Sequence, residues 1–207
     1  MKIAKYQKLL TTQCTIIADN VSEDMKNNSF YVGSTGKNPV AHNAILYRWW
    51  FPKDSEPMKV LEKYIEDHPK DLIMQDLLSN LEQRMEDGKT YYALYFGKSN
   101  NGYNRYRQHT AGNVDDSTLR LTLYGLCIGE TYDNAKEQQI NEMLCQCYYE
   151  WGDFGNEENI VECIEGICIA LGKYPLNIDG NVAVSKEWLD YLTNKRRLSN
   201  LKKSTRK

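Results

Sequence analysis

The apolar positions of this chain fall into two spacings. Three dense runs, AILYRWWF over 44–51, YYALYF over 91–96 and MLCQCYYEW over 143–151, are rich in aromatic and large apolar residues and read as strands. Elsewhere the apolar residues recur at helical intervals. Ile3, Tyr6, Leu10, Cys14 and Ile17 define a helix over 2–18, followed by a polar stretch over 19–29. Ser55 is placed to cap a helix carrying Leu61, Tyr64 and Ile65; past Pro69, a second helix carries Ile73, Leu77, Leu78, Leu81 and Met85 and stops at Gly88. Further helices are expected over 117–129, with Ser117 as cap, over 133–142, and on the stripe Ile160, Val161, Ile164, Cys168 and Leu171. Ser185 caps a last helix with Trp188, Tyr191, Leu192 and Leu198. Strands separated by helices predict an α/β (α+β) fold with a small mixed or antiparallel three-stranded sheet flanked by helices. A single domain is expected over 1–207, with a core over 44–178, a helical insertion over 53–89, an N-terminal helix over 2–18 and a basic C-terminal helix over 185–204.

Composition narrows the picture. The 207 residues are 41% hydrophobic and carry a formal net charge of -2, so nucleic-acid contact would come from local patches rather than overall attraction. No apolar run approaches the roughly 20 residues of a membrane span, and the N-terminus lacks the pattern of a secretion signal. Six cysteines form no C-x-x-C pair, and Cys145-x-Cys147 is expected to place both thiols on one face of a strand. Reduced thiols and a cytoplasmic chain are the expectation. His42 and His68 are expected on the surface. The sequence GSTGK over 33–37 has two residues between its first glycine and the Gly-Lys pair, whereas a phosphate loop needs four. Residues 53–89 hold ten acidic and six basic side chains, a poor surface for DNA.

The stretch YYALYFGKSNNGYNRYRQH over 91–109 carries the chemistry. A strand delivers Tyr95 to a turn made by Gly97, Ser99, Asn100, Asn101 and Gly102, and Arg105 and His109 then sit four residues apart on one helix face. An arginine fork suits a phosphate because it stays protonated and donates two parallel hydrogen bonds. Tyr95-Phe96-Gly97-Lys98-Ser99, Arg105 ten residues after Tyr95 and His109 four further on resemble the second half of the GIY-YIG nuclease signature. Ile45-Leu46-Tyr47 stands in the place of the family's first motif, with isoleucine where the family has glycine. Glu165 followed by Tyr174-Pro175-Leu176-Asn177 matches the family's later glutamate, proline and asparagine. The resemblance covers 44–178, with 53–89 as an unusually long interval between the two motif strands. Tyr31-Val32-Gly33 is a decoy, because its arginine position falls on Ala41.

The resemblance implies a divalent-metal-dependent DNA endonuclease, a phosphodiester hydrolase with one Mg²⁺ or Mn²⁺. Glu165 would hold the metal, Glu162 one turn earlier being the alternative. Arg105 would bind phosphate, and Tyr47 would act as base if Lys98 or Arg105 lowers its pKa. Tyr95 and His109 would be its hydrogen-bond partners and Asn177 an organiser. Arg107, Lys195, Arg196 and Arg197, with Lys202, Lys203, Arg206 and Lys207 beyond them, would contact DNA. The rival reading is a nucleic-acid-binding or protein-interaction module that keeps the fold without turnover.

Overall fold

The computed structural model describes residues 2–34, 39–129 and 132–201. The basic tail Lys202, Lys203, Arg206 and Lys207 and most of GSTGK lie outside these residues. In chain order the elements are α1 (Lys2–Lys26), β1 (Ser29–Tyr31), β2 (Ile45–Pro52), α2 (Glu56–Asp67), α3 (Leu72–Ser79), β3 (Gln83–Glu86), β4 (Lys89–Ser99) and α4 (Gly102–Ala111). They continue as α5 (Thr118–Leu123), α6 (Glu137–Cys145), β5 (Tyr148–Asp153), α7 (Glu158–Leu171) and α8 (Lys186–Leu201).

Strand β2 is buried at every residue because helices cover both of its faces. Alternation sends Ile45, Tyr47, Trp49 and Phe51 into the larger core with Tyr106 of α4, Leu119 of α5, Leu144 of α6 and Trp188 of α8. Leu46 and Trp50 enter a second core with Val21 and Met25 of α1 and Val161 and Cys168 of α7. Strands β4 and β5 flank β2 antiparallel, with Tyr47 opposite Gly97 on one side and Trp151 on the other.

The sheet has five strands in the order β1-β5-β2-β4-β3 rather than three. The two extra strands are edge pieces of three and four residues, too short to show a period. Strand β3 replaces the expected end of the second insertion helix. Asp87 and Gly88 have φ of 49° and 75°, the left-handed pair that a two-residue hairpin turn requires. Gly88 therefore turns β3 into β4 instead of stopping a helix, and Met85 is exposed.

Three other expectations shift. Helix α1 continues through the polar stretch because Val21 and Met25, one turn apart, anchor it on the second core. The run over 143–151 divides: α6 ends at Cys145, and β5 begins at Tyr148. Cys145 is exposed and Cys147 buried, so the two thiols do not share a strand face. On α7, Ile160 and Leu171 are exposed, and the buried stripe is Val161, Cys168 and Ile169. Caps fare unevenly: Ser117 and Ser185 accept from the backbone of Arg120 and Trp188, whereas Ser55 makes no side-chain cap bond. His42 and His68 are exposed, each stacked on a tyrosine, Tyr103 and Tyr64. Among the described residues no helix is long and apolar enough to cross a membrane.

Arg48 is the polar centre of the second core. Its Nε donates to the cross-strand Glu150 at 2.7 Å, and its other nitrogens reach Glu82 at 2.6 Å and Ser22 of α1 at 3.1 Å. Trp50 Nε1 also donates to Glu150 at 3.0 Å. Helix α1, β5 and the approach to β3 are thus tied to one guanidinium. Removing one partner of a buried pair strands the other charge. Arg48→Met should lose about 3–5 kcal/mol in urea unfolding, and R48M/E150Q should regain most of it, because the one carboxylate left without Arg48, that of Glu82, is exposed to water.

Candidate active site

The site is built on the larger-core face of β2 and β4, where Tyr47 crosses over Gly97. A Cβ on Gly97 would lie 2.6 Å from the Tyr47 hydroxyl oxygen, so the absence of a side chain there makes room for the phenol. Helix α4 starts beside it. Asn101 caps the helix by accepting from Asn104 N at 2.9 Å, and Gly102 fits against Ala41 and Ile45, where a Cβ would come within 2.8 Å. That docking sets the helix so that both Arg105 and His109 meet Tyr47. Arg105 Nε donates to Tyr47 Oη at 3.0 Å, and His109 Nε2 lies 3.0 Å from the same oxygen.

Helix α5 supplies the next layer. Ser117 Oγ is 2.6 Å from His109 Nδ1, and Arg120 Nη1 donates to the His109 carbonyl at 2.7 Å. Thr118 Oγ1 is 3.1 Å from the Tyr95 hydroxyl. The expected Tyr95–Tyr47 hydrogen bond is not formed; the two rings sit 6.3 Å apart, and Tyr95 turns toward α5 because Arg105 and His109 already occupy Tyr47 Oη. Asn177 Oδ1 accepts from Phe96 N at 2.9 Å while its Nδ2 donates to Phe96 O at 2.7 Å. It pairs with the open edge of that β4 peptide as a neighbouring strand would.

A cavity of about 290 Å³ opens at this point. Tyr47, Tyr95, Arg105 and Glu165 all line it, with Lys98, Asn177 and Arg196. Thr118 and Asp179, which the sequence did not single out, line it as well. Glu162 does not: its exposed carboxylate pairs with Lys98 Nζ at 2.9 Å, and that bond holds its pKa below the usual range. Arg107 and Arg197 are exposed outside the cavity, and Lys195 lies over the Tyr191 ring. Ser117, Thr118 and Thr122 lie in the phrase STLRLTL, which also resembles part of the family, but that phrase assigns them no site role; the placement of α5 makes them part of the site.

Electrostatics correct one expectation. Burial first, and then Tyr95, push the Tyr47 hydroxyl well above its ordinary pKa, outweighing Arg105. Burial, reinforced by Arg105 and Arg120, pushes His109 well below its ordinary value. The pair is therefore a neutral phenol beside a neutral imidazole. Burial also raises Glu165, with Lys98 opposing. A desolvated carboxylate gains from a bound cation. Among the described residues no cluster of three or more His, Cys, Asp or Glu is placed to cage a metal. The donor set, Glu165 with Asp179 at the rim, fits a hard cation that keeps most of its water, as Mg²⁺ does.

Cations suited to a phosphate and a carboxylate suited to a metal, gathered at one phenol, put this chain in the class of nuclease-type folds. The family model for the GIY-YIG catalytic domain matches residues 45–198, and the chain belongs to that family of nucleases. Family members generally use divalent metals, and their domain implies a nucleic-acid substrate. No curated protein and no solved structure matches the chain.

Two outcomes follow from this geometry. Gly97→Ala should cost about 1–3 kcal/mol in urea unfolding, the usual range for overpacking, because the new methyl displaces the Tyr47 hydroxyl. The second outcome concerns pH. His109 is neutral when folded but takes a proton when unfolded below about pH 6.5. Its contribution to stability is complete above that pH and is lost as pH falls toward the lowered folded value. The urea midpoint should drop more between pH 7 and pH 5.5 in the wild type than in His109→Gln.

Proposed function

We propose that the chain is a divalent-metal-dependent DNA endonuclease that hydrolyses phosphodiester bonds at this cavity. The carrying observation is that Tyr47 Oη, held by Arg105 Nε and His109 Nε2 at 3.0 Å each, lies in the same cavity as Glu165. Arg105 donates to the phenol oxygen, which directs the phenol proton toward His109 Nε2, and the Ser117 hydroxyl takes the Nδ1–H of that tautomer. Tyr47 oxygen then accepts a proton from the attacking water as its own proton passes to His109. The raised pKa of Tyr47 does not block this route, because no free tyrosinate has to form. The water oxygen bonds to phosphorus, the ester P–O bond breaks, and the proton held by His109 returns through Tyr47 and water to the departing oxygen. One alcohol and one phosphate monoester result. Glu165 would hold Mg²⁺ or Mn²⁺, which when bound supplies positive charge against the charge gathering on the phosphoryl oxygens.

Lys98 is read as a neutralising cation for this face and Asn177 as the clamp that keeps β4 in place. Arg107, Lys195 and Arg197 are read as outer phosphate contacts. The chain is read as one domain, with 53–89 inserted between the two motif strands and carrying its acidic surface away from DNA.

Supercoiled plasmid with Mg²⁺ or Mn²⁺ tests the reading. Nicking should fall by about 10²–10³-fold in Arg105→Ala and in Glu165→Gln, the usual effect of removing one charge-stabilising group. Mg²⁺ should raise the melting temperature of the wild type but not of Glu165→Gln. DNA binding without metal-dependent cutting across supercoiled, linear and branched DNA would instead establish the rival, a binding module without turnover.

A further inference from the structure

Helix α8 brings a second guanidinium into the cavity. Arg196 Nε donates to Thr122 Oγ1 at 2.6 Å, and the Thr122 hydroxyl donates in turn to the Thr118 carbonyl at 2.7 Å. The anchor is rigid, since Thr122 is buried. The α8 backbone approaches so closely that a Cβ on Gly125 would lie 2.7 Å from Lys195 O. The Arg196 side chain is half-buried and lines the cavity that Arg105 and Glu165 line. Burial lowers its pKa, with Tyr95 and Asp179 opposing, yet no carboxylate among the described residues forms an ion pair with it. No residue among those described accepts from its two Nη groups.

Arg105 is in the opposite condition. Its Nε is spent on Tyr47, and its Nη1 donates to Gln108 Oε1 at 3.1 Å and to Asp116 O at 3.4 Å. Neither edge of that fork has both of its N–H groups free for a bidentate grip. The outer edge of Arg196 does.

We propose that Arg196 is the arginine that grips the phosphodiester to be cut, taking its two non-bridging oxygens on the Nη1–Nη2 edge, while Arg105 serves the Tyr47 oxygen. The proposal rests on the nuclease reading and deepens it: the C-terminal helix belongs to the reacting centre rather than to an outer DNA-binding surface. Thr122 is the positioning residue, since it holds Nε and leaves the outer edge facing the cavity.

Two measurements test this separately from turnover. In the first, a thymidine dinucleotide, which carries one phosphodiester, is titrated into the wild-type protein with EDTA while the arginine side-chain N–H resonances are followed by NMR. The Arg196 Nε–H signal should move with saturation. A signal that stays still while DNA binds overturns the proposal. In the second, single-turnover cleavage is measured at saturating DNA. Arg196→Ala should slow it by about 10²–10³-fold, and Arg196→Lys should recover little, because an ammonium lacks the planar fork. Added guanidinium should restore part of the rate to Arg196→Ala, and Asn194→Ala, exposed on the same helix, should cut normally. Thermal melting identifies a variant that has failed to fold. Wild-type cutting with a full rate in Arg196→Ala at saturation also overturns the proposal. If the wild type cuts no DNA but the dinucleotide still moves Arg196, the nuclease reading falls and the phosphodiester site stands.

Discussion

One buried oxygen organises the site. Tyr47 Oη is enclosed in the larger core, where a hydroxyl without partners would cost about 1–3 kcal/mol. It is satisfied from one direction only, by α4, which places Arg105 and His109 on it together. That requirement fixes the rotation of α4 against the sheet, and the bare Gly97 opposite fixes how closely the phenol approaches the neighbouring strand. A helix docked by a satisfied polar group has little freedom to rotate without leaving that group unpaired. The candidate site and the packing of the core are therefore one constraint.

Helix α5 carries that constraint outward. It has only six residues, yet it or its cap holds three side chains of the site: Ser117 holds His109, Thr118 meets Tyr95, and Thr122 holds Arg196. Thr118 and Thr122 are one turn apart and share a face. The hydroxyls orient their partners without adding charge, so the field in the cavity is set by Arg105, Arg196, Glu165, Asp179 and the Lys98–Glu162 pair. The sheet beneath is held from its other face, where Arg48 joins β2, β5 and α1. A platform fixed on both faces keeps the cavity lining at constant separations, as chemistry on a bound substrate requires.

Much of this was legible in the chain. Strands β2 and β4 were clear because the aromatic runs are long, and the α4 pair followed from Arg105 and His109 standing four residues apart. The order Tyr47, Tyr95, Arg105, His109, Glu165, Asn177 was also readable, since an insertion between the two motif strands leaves that order, and the intervals from Tyr95 to Arg105 and His109, unchanged. The short edges β1 and β3 were not, because a piece of three or four residues shows no period; Met85 fell on helical spacing by coincidence. The division at Cys145 was hidden inside one continuous apolar run.

By itself the sequence determined the family, the principal strands and the identity of most residues around the cavity, because local periodicity and fixed motif intervals are written along the chain. Only the tertiary structure decided what those residues do to one another. It buried Tyr47 and His109 as a neutral pair, turned Tyr95 toward Thr118, chose Glu165 over Glu162 for the cavity, and set Arg196, expected as a DNA contact, in the cavity wall. Each of these depends on desolvation and on contacts between residues far apart in sequence, and neither is encoded in the spacing of residues.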